Sequence, residues 1–289
     1  MGAFMTASVA RKALDSRFSP PSLSQTEFER IKALAFRLAG INLSQSKKSL
    51  IVGRWSRRLQ HHGLGSFHEY LDLLSRNDAR EELQTALNLL TTNETNYFRE
   101  RQHFDFLREQ VLPKARRGGK FRVWSAACST GEEPYSVAML LAAELGHAPW
   151  EVLGSDISTS VLATASAGLY PMERARPIPQ EYLYRYCLRG TGPQAGMFLV
   201  DREIRERVKF RYINLNEPLP DVGMFDLILL RNVMIYFSAE TKSQVVARLL
   251  PTLKPDGYFL VGHCETLNGV TDRLSMSSAS IYTRTRRCA

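Results

Sequence analysis

Cysteine is scarce in this chain: four residues in 289, Cys128, Cys187, Cys264 and Cys288, all far apart. No C-x-x-C pair occurs, so zinc ribbons and zinc knuckles are excluded, and the simplest setting is a reduced, cytoplasmic one. No apolar run approaches the roughly 18 residues that a membrane-spanning helix needs. The first residues lack the continuous apolar core of a signal peptide. Met1-Gly2-Ala3-Phe4-Met5-Thr6 formally fits a myristoylation pattern, but that pattern fixes so few positions that chance accounts for it. G-x-G-x-x-G is absent, which argues against a dinucleotide enzyme. There is no N-P-P-Y-like tetrapeptide to hold a flipped base. No His–Asp pair stands out, and no internal repeat is found.

What is present is globular: 44% hydrophobic and 23% charged residues, with a net charge of +9. Such a balance suits nucleic acid or an acidic protein surface, so the distribution of charge has to decide.

The chain is organised around Arg122 to Ser136, R-V-W-S-A-A-C-S-T-G-E-E-P-Y-S. Residues 121–126 are apolar, β-branched and aromatic, the pattern of a buried strand. Small residues follow over 128–131. A helix then opens at Glu132, with Pro134 in its first turn, where a missing N–H costs nothing. Strand, small-residue turn and helix make a nucleotide-sized crevice in an open α/β sheet. Two carboxylates stand where a phosphate loop wants N–H groups and positive charge. The ligand expected is therefore cationic, and the sulfonium and α-amino groups of S-adenosylmethionine suit.

Before this stretch, 1–21 reads as a loose arm and 22–91 as a small all-α domain. Ser24-x-x-Glu27 is a capping box, and Gly40 ends the first helix. A second helix over 46–60 carries Lys47, Lys48, Arg54, Arg57 and Arg58; Lys47, Arg54 and Arg58 fall on one face. Ser66 starts a third helix, and a fourth runs over 77–90. The segment T-T-N-E-T-N-Y-F-R (91–99) carries two aromatics that a plain linker would not need. Beyond the central helix a second strand ends at Asp156, followed by a helix over 158–167. Residues 168–196 read as irregular, with a strong turn signal at R-G-T-G-P. Short strands at 197–200 and 207–212 suggest a hairpin inserted in the α/β unit. Strands at 225–230, 258–261 and 280–283 and a helix over 239–253 complete a mainly parallel, doubly wound sheet.

Asp156, at the carboxyl end of a strand, is placed to accept ribose hydroxyls, and equally to cap the next helix. Asn214-Leu215 and Arg231-Asn232 fall where later strands reach the same rim, though an Asn after a strand is commonly a turn former. R-N-V-M-I-Y-F sets Arg, Asn and Tyr around an apolar run directly after a core strand.

Four segments carry a resemblance: T-x-N-E-T-N-Y-F-R, W-S-A-A-C-S-T-G-E-E-P-Y-S, L-x-R-N-V-M-I-Y-F and L-K-P-D-G-Y-F-L-V-G-H-x-E. Together, in this order and over nearly the whole chain after the arm, they resemble the CheR family of chemotaxis receptor methyltransferases. The resemblance implies a Rossmann-like class I methyltransferase fold in 92–289, with a small antiparallel β-subdomain inserted over 172–212. It implies methyl transfer from S-adenosylmethionine, leaving S-adenosylhomocysteine, to glutamate side chains of chemoreceptors. Position by position it assigns cofactor contacts to Asn93, Thr95, Arg99, Ala127, Glu133, Asp156, Asn214, Leu215, Leu230, Arg231 and Asn232. Glu132 and Glu133 fit equally at this stage. Arg99 and Tyr236 become the substrate-side, catalytic residues, and no metal is expected. The basic second helix, with Arg54, Arg57 and Arg58, resembles the element that docks on receptor helices. The β-subdomain resembles one that binds a receptor's C-terminal peptide in some members. Cys128 departs from the small residue, such as alanine, expected there. The expected partner is thus the cytoplasmic part of transmembrane receptors, with no nucleic acid and no membrane insertion. Alternatives are a nucleic-acid or other protein methyltransferase on the same fold, or a non-catalytic cofactor-binding receptor adaptor.

Overall fold

The computed structural model describes residues 21–115 and 119–285. The expected arm, apart from Pro21, the myristoylation-like stretch and Cys288 lie outside the described residues.

Four helices come first: α1 (Gln25–Ala39), α2 (Lys48–His62), α3 (Phe67–Leu74) and α4 (Arg80–Leu90). The Ser24 hydroxyl accepts the Glu27 N–H and the Glu27 carboxylate accepts the Ser24 N–H, closing the capping box. Ser66 starts α3 by accepting the Glu69 N–H. Gly40, at φ 68°, stops α1 in the left-handed region that favours glycine. The apolar stripes close on Phe28, Ile31, Trp55, Phe67 and Tyr70, all with no exposed surface. Trp55 donates its indole N–H to Ala86 O, so its polar atom is not orphaned.

The remaining elements are α5 (Arg101–Phe106), α6 (Leu112–Ala115), β1 (Phe121–Ser125), α7 (Glu132–Leu145), β2 (Trp150–Asp156), α8 (Thr159–Ala167), β3 (Leu169–Pro171), α9 (Gln180–Tyr186), β4 (Cys187–Arg189), β5 (Met197–Val200), α10 (Arg202–Glu206), β6 (Val208–Tyr212), β7 (Phe225–Leu230), α11 (Ala239–Leu249), β8 (Leu253–Val261), β9 (Leu274–Ser278) and β10 (Ile281–Arg284). One sheet runs β6-β2-β1-β7-β8-β10-β9. It is parallel except for β10, which runs antiparallel to both β8 and β9. Helices cover both faces, with α7 in one core and α11 in the other. Strand order reverses at β1, between β2 and β7, which is where an open α/β sheet leaves its crevice.

Three local expectations are corrected. Residues 197–200 and 208–212 are not a hairpin. β5 lies between β3 and β4 in a separate three-stranded antiparallel sheet, whereas β6 pairs in parallel with β2 at the edge of the main sheet. The stretch 168–196, expected to be irregular, supplies two of those three strands and α9. Pro255-Asp256-Gly257, whose Pro-Asp-Gly sequence reads as a turn between the helix over 239–253 and the strand at 258–261, is instead part of β8, whose register against β7 shifts there.

Candidate active site

The carboxyl ends of the parallel strands and the segment joining α1 to α2 enclose a cavity of about 430 Å³. Its size lies within the roughly 300–1,000 Å³ usual for small-ligand sites. The helical domain is tied over the rim by backbone and amide bonds. Asn42 N–H donates to Tyr236 O (2.8 Å), Ile41 makes an antiparallel bridge with Phe237, and Asn214 Nδ2 donates to Leu38 O (2.7 Å).

One wall is acidic. After β1, Ala126, Ala127 and Ser129 line the cavity, with side chains too small to fill it. Cys128 does not line it; it is 1% exposed and its N–H donates to Ser155 O. Burial, with Asp156 and Glu133 nearby, pushes the Cys128 thiol well up. The departure from alanine therefore falls behind the wall rather than on it.

Asp156 binds the turn just before α8, whose N-cap is Ser158, and borders the cavity. Its Oδ1 accepts the Ser158 N–H, and its Oδ2 accepts the Ser129 N–H, each at 2.9 Å. Burial raises its pKa, and hydrogen bonds from the Ser158, Ser129 and Ile157 N–H groups work against that rise. A carboxylate offers about four lone-pair sites, so these three donors leave it room for a ligand hydroxyl.

Glu132 and Glu133 part company because successive helical residues point about 100° apart. The side chain of Glu132 is fully buried, away from the cavity, paired with Arg174 and the Thr130 hydroxyl. Glu133 lines the cavity, its Oε1 accepting from Ser125 Oγ (2.6 Å) and its Oε2 from Arg231 Nη1 (2.7 Å).

Arg231, 5% exposed, also donates through Nη2 to Arg99 O (2.6 Å) and Glu100 Oε2 (3.0 Å). It is a clamp between two carboxylates as much as a cavity wall. Burial raises the Glu100 carboxyl, but Arg231 and its other donors outweigh that and hold it below the ordinary value. Asn232 sits in the left-handed region (φ 58°), its Nδ2 on Glu100 Oε1 (3.2 Å). Asn93, Thr95 and Arg99 line the cavity from the segment before α5. Arg99 spends one N–H on Glu94 O (3.2 Å). Half-buried Tyr236 lines the cavity, and its hydroxyl has no hydrogen-bond partner among the described residues.

Two expected contacts sit differently. Leu230 is fully buried in the core behind the sheet and does not line the cavity. Asn214 and Leu215 do line it, but the Asn214 amide is engaged, with Leu38 O, Glu217 Oε1 and the Asn216 N–H. Sequence reasoning also missed the roof: Ile41, Asn42, Ser44, Lys47 and Leu50 reach the cavity from the helical domain. No local pattern points them at the cavity, Lys47 standing out only within the basic stripe, because their role there comes from a domain contact rather than from spacing.

The basic face of α2 divides. Arg54 donates to Leu89 O (2.9 Å) and Thr91 O (2.7 Å) at the end of α4. Arg58 pairs with Glu82, which also accepts from the Tyr70 hydroxyl. Burial raises Glu82, but Arg58, Tyr70 and His62 outweigh it and bring its pKa down to about 2. Arg57 alone of the three is exposed, with no partner among the described residues.

The acidic wall, the small-residue turn and the free acceptor capacity on Asp156 fit a cationic nucleoside ligand. Two family models match this chain: the CheR methyltransferase all-alpha domain over residues 26–91, and the CheR methyltransferase SAM binding domain over residues 93–283. The chain belongs to the CheR methyltransferases. A chemotaxis protein methyltransferase of Salmonella typhimurium is 43% identical over 264 residues, covering 90% of this chain and 91% of the relative. Chemotaxis protein methyltransferase 2 of Pseudomonas aeruginosa is 41% identical, over 90% and 93%. The Borreliella burgdorferi relative is 36% identical, over 86% and 90%. Like the family, the chain is a methyltransferase that uses S-adenosylmethionine. No helix among the described residues is long and apolar enough to cross a membrane.

Proposed function

We propose that the chain methylates glutamate side chains in the cytoplasmic part of chemoreceptors, forming methyl esters for chemotactic adaptation. The observation that carries this is the composition of one cavity. Glu133 and Asp156 stand on one wall, and Arg99, Lys47 and the unpartnered Tyr236 hydroxyl line the same space. Acidic residues suit a cationic donor, and cations with a free hydroxyl suit an anionic acceptor.

S-adenosylmethionine supplies a methyl group on a cationic sulfur, and the carboxylate that takes it becomes a neutral ester. A glutamate acceptor, with an ordinary pKa of about 4.3, is already ionised at neutral pH, so no residue has to act as a base. What remains is to orient the acceptor and keep the site dry, and alignment alone is worth ~7–11 kcal/mol. Tyr236 holds one carboxylate oxygen while the other attacks. Arg99 steers the anion without a tight two-point grip, which would blunt its nucleophilicity. Asp156 and Glu133 hold the cofactor, and the roof from Ile41 to Leu50 excludes water.

Arg57, exposed and without a partner among the described residues, is free to meet an acidic receptor surface. In the small sheet β4 is an outer strand, with Leu188 and Tyr184 exposed close by, which supports peptide binding there.

Incubation with methyl-labelled S-adenosylmethionine and receptor membranes tests this reading. Label released as methanol by mild base is the expected result. Label stable to base would mean methylation of nitrogen, and no transfer at all would leave a cofactor-binding adaptor.

A further inference from the structure

Glu265 follows β8 and does not line the cavity, yet three main-chain donors converge on its carboxylate. Its Oε2 accepts from Gly262 N (2.7 Å) and Asn232 N (2.8 Å), and its Oε1 from Ile235 N (3.2 Å). Its own N–H donates to Gly262 O (2.9 Å), which closes the loop after β8 on itself. The residue is 8% exposed.

Two of these donors belong to the turn after β7 that carries Arg231, Asn232 and Tyr236. At the end of a strand those N–H groups have lost their ladder partners, and a buried N–H must find another acceptor. Asn232 is also held at φ 58°, a conformation that costs free energy for any residue with a Cβ. The side chain of Asn232 is fixed from the other side by Glu100 Oε1. Gly262 completes the fit. A Cβ there would lie 2.6 Å from Asn232 Nδ2, 2.9 Å from Glu265 Oε2 and 3.0 Å from Asn232 N. The loop after β8 and the turn after β7 are thus built around one carboxylate.

We infer that Glu265 is a positioning residue for methyl transfer: it sets the turn that presents Asn232 to the cofactor and Tyr236 to the acceptor. This rests on the reading of Asn232 and Tyr236 given above. A glutamine there would keep the size, but even with its oxygen in the place of Oε2 its NH2 would face the Ile235 N–H, donor against donor. The turn would relax without any group leaving the cavity.

The test combines Glu265→Gln, Tyr236→Phe and the double variant, with receptor turnover and calorimetric binding of S-adenosylhomocysteine, read well below each variant's melting temperature. Glu265→Gln is expected to lower kcat ~10- to 100-fold, the cost of a small misplacement of reacting groups, and to weaken S-adenosylhomocysteine about 5- to 10-fold through Asn232. Receptor KM is expected to change less than kcat. Because both act on one turn, the double variant should be no slower than the worse single one by more than about twofold. A folded Glu265→Gln protein with kcat and cofactor affinity near those of the parent overturns the inference, as do multiplicative losses in the double variant. Should Glu265→Gln not fold, Gly262→Ala disturbs the same turn from the facing side, and its kinetics are read by the same criteria. If Tyr236→Phe alone leaves turnover unchanged while Glu265→Gln lowers it, the reading of Tyr236 fails rather than the role of Glu265.

Discussion

Replacing Arg231 by methionine isolates the buried clamp. The arginine side chain is 2% exposed, and its partners Glu133 and Glu100 are 13% and 11% exposed. Methionine fills most of the volume, so the loss is electrostatic rather than a cavity. It strands two carboxylates that have little water to turn to. Breaking a buried pair from one side costs about 3–5 kcal/mol. Ser125, Asn232 and the His263 N–H still donate to the two carboxylates, which puts the expected value near the lower end. For a chain of this size that is a fall in Tm of roughly 6–12 °C. Urea unfolding of Arg231→Met measures it directly. Glu133→Gln in the same background removes one stranded charge, so the double variant should recover about 1–2 kcal/mol relative to additive losses. A loss below about 1 kcal/mol for Arg231→Met, or strict additivity, would refute the clamp and return Arg231 to a simple lining role.

Asp156→Asn should weaken S-adenosylhomocysteine by about 1.5–3 kcal/mol, the loss of charge-assisted bonds, and unchanged calorimetric affinity would remove Asp156 from the ribose site. Arg57→Glu should slow methylation of receptors in membranes and leave Tm near that of the parent. Arg54→Glu and Arg58→Glu should instead lower stability by about 1–3 kcal/mol, read by thermal unfolding, because each breaks bonds to α4 or its carboxylate. His103 is 2% exposed, and burial, with Arg231 and His263 adding to it against the pull of Glu100, lowers its pKa to about 4. The unfolded chain therefore binds this proton first. Stability is full above the ordinary histidine pKa of about 6.5 and falls as pH drops from there toward 4, by up to about 3 kcal/mol. Urea titrations from pH 7 to pH 4.5 should display that slope, and His103→Asn should flatten it.

Legibility followed the range of the interaction. The capping box at Ser24 and Glu27 is complete within four residues, so the sequence carries it whole. The β1–α7 unit is nearly as local, and its small-residue turn identified the cleft. Nothing local tells β6 from a hairpin partner of β5, because its true neighbour, β2, lies some fifty residues earlier, and period-2 patterning says nothing about which strand pairs with which. Glu132 and Glu133 were indistinguishable until α7 had a rotational phase. The basic stripe on α2 was visible, but only α4 and Glu82 reveal that Arg54 and Arg58 are already bound. Leu230 followed the family pattern to the end of β7, and the pleat turned it into the core.

The strip from Ile41 to Leu50 closes the cleft, yet it belongs to the helical domain, and its peptide groups at Ile41 and Asn42 are stitched to Phe237 and to Tyr236 itself. The helix proposed to meet the receptor and the ceiling over the chemistry are thus neighbouring parts of one piece of chain. Exchanging helical domains between relatives would transplant part of the reaction chamber along with the target preference, so partner choice and turnover should be inherited jointly in such chimaeras rather than mixed at will.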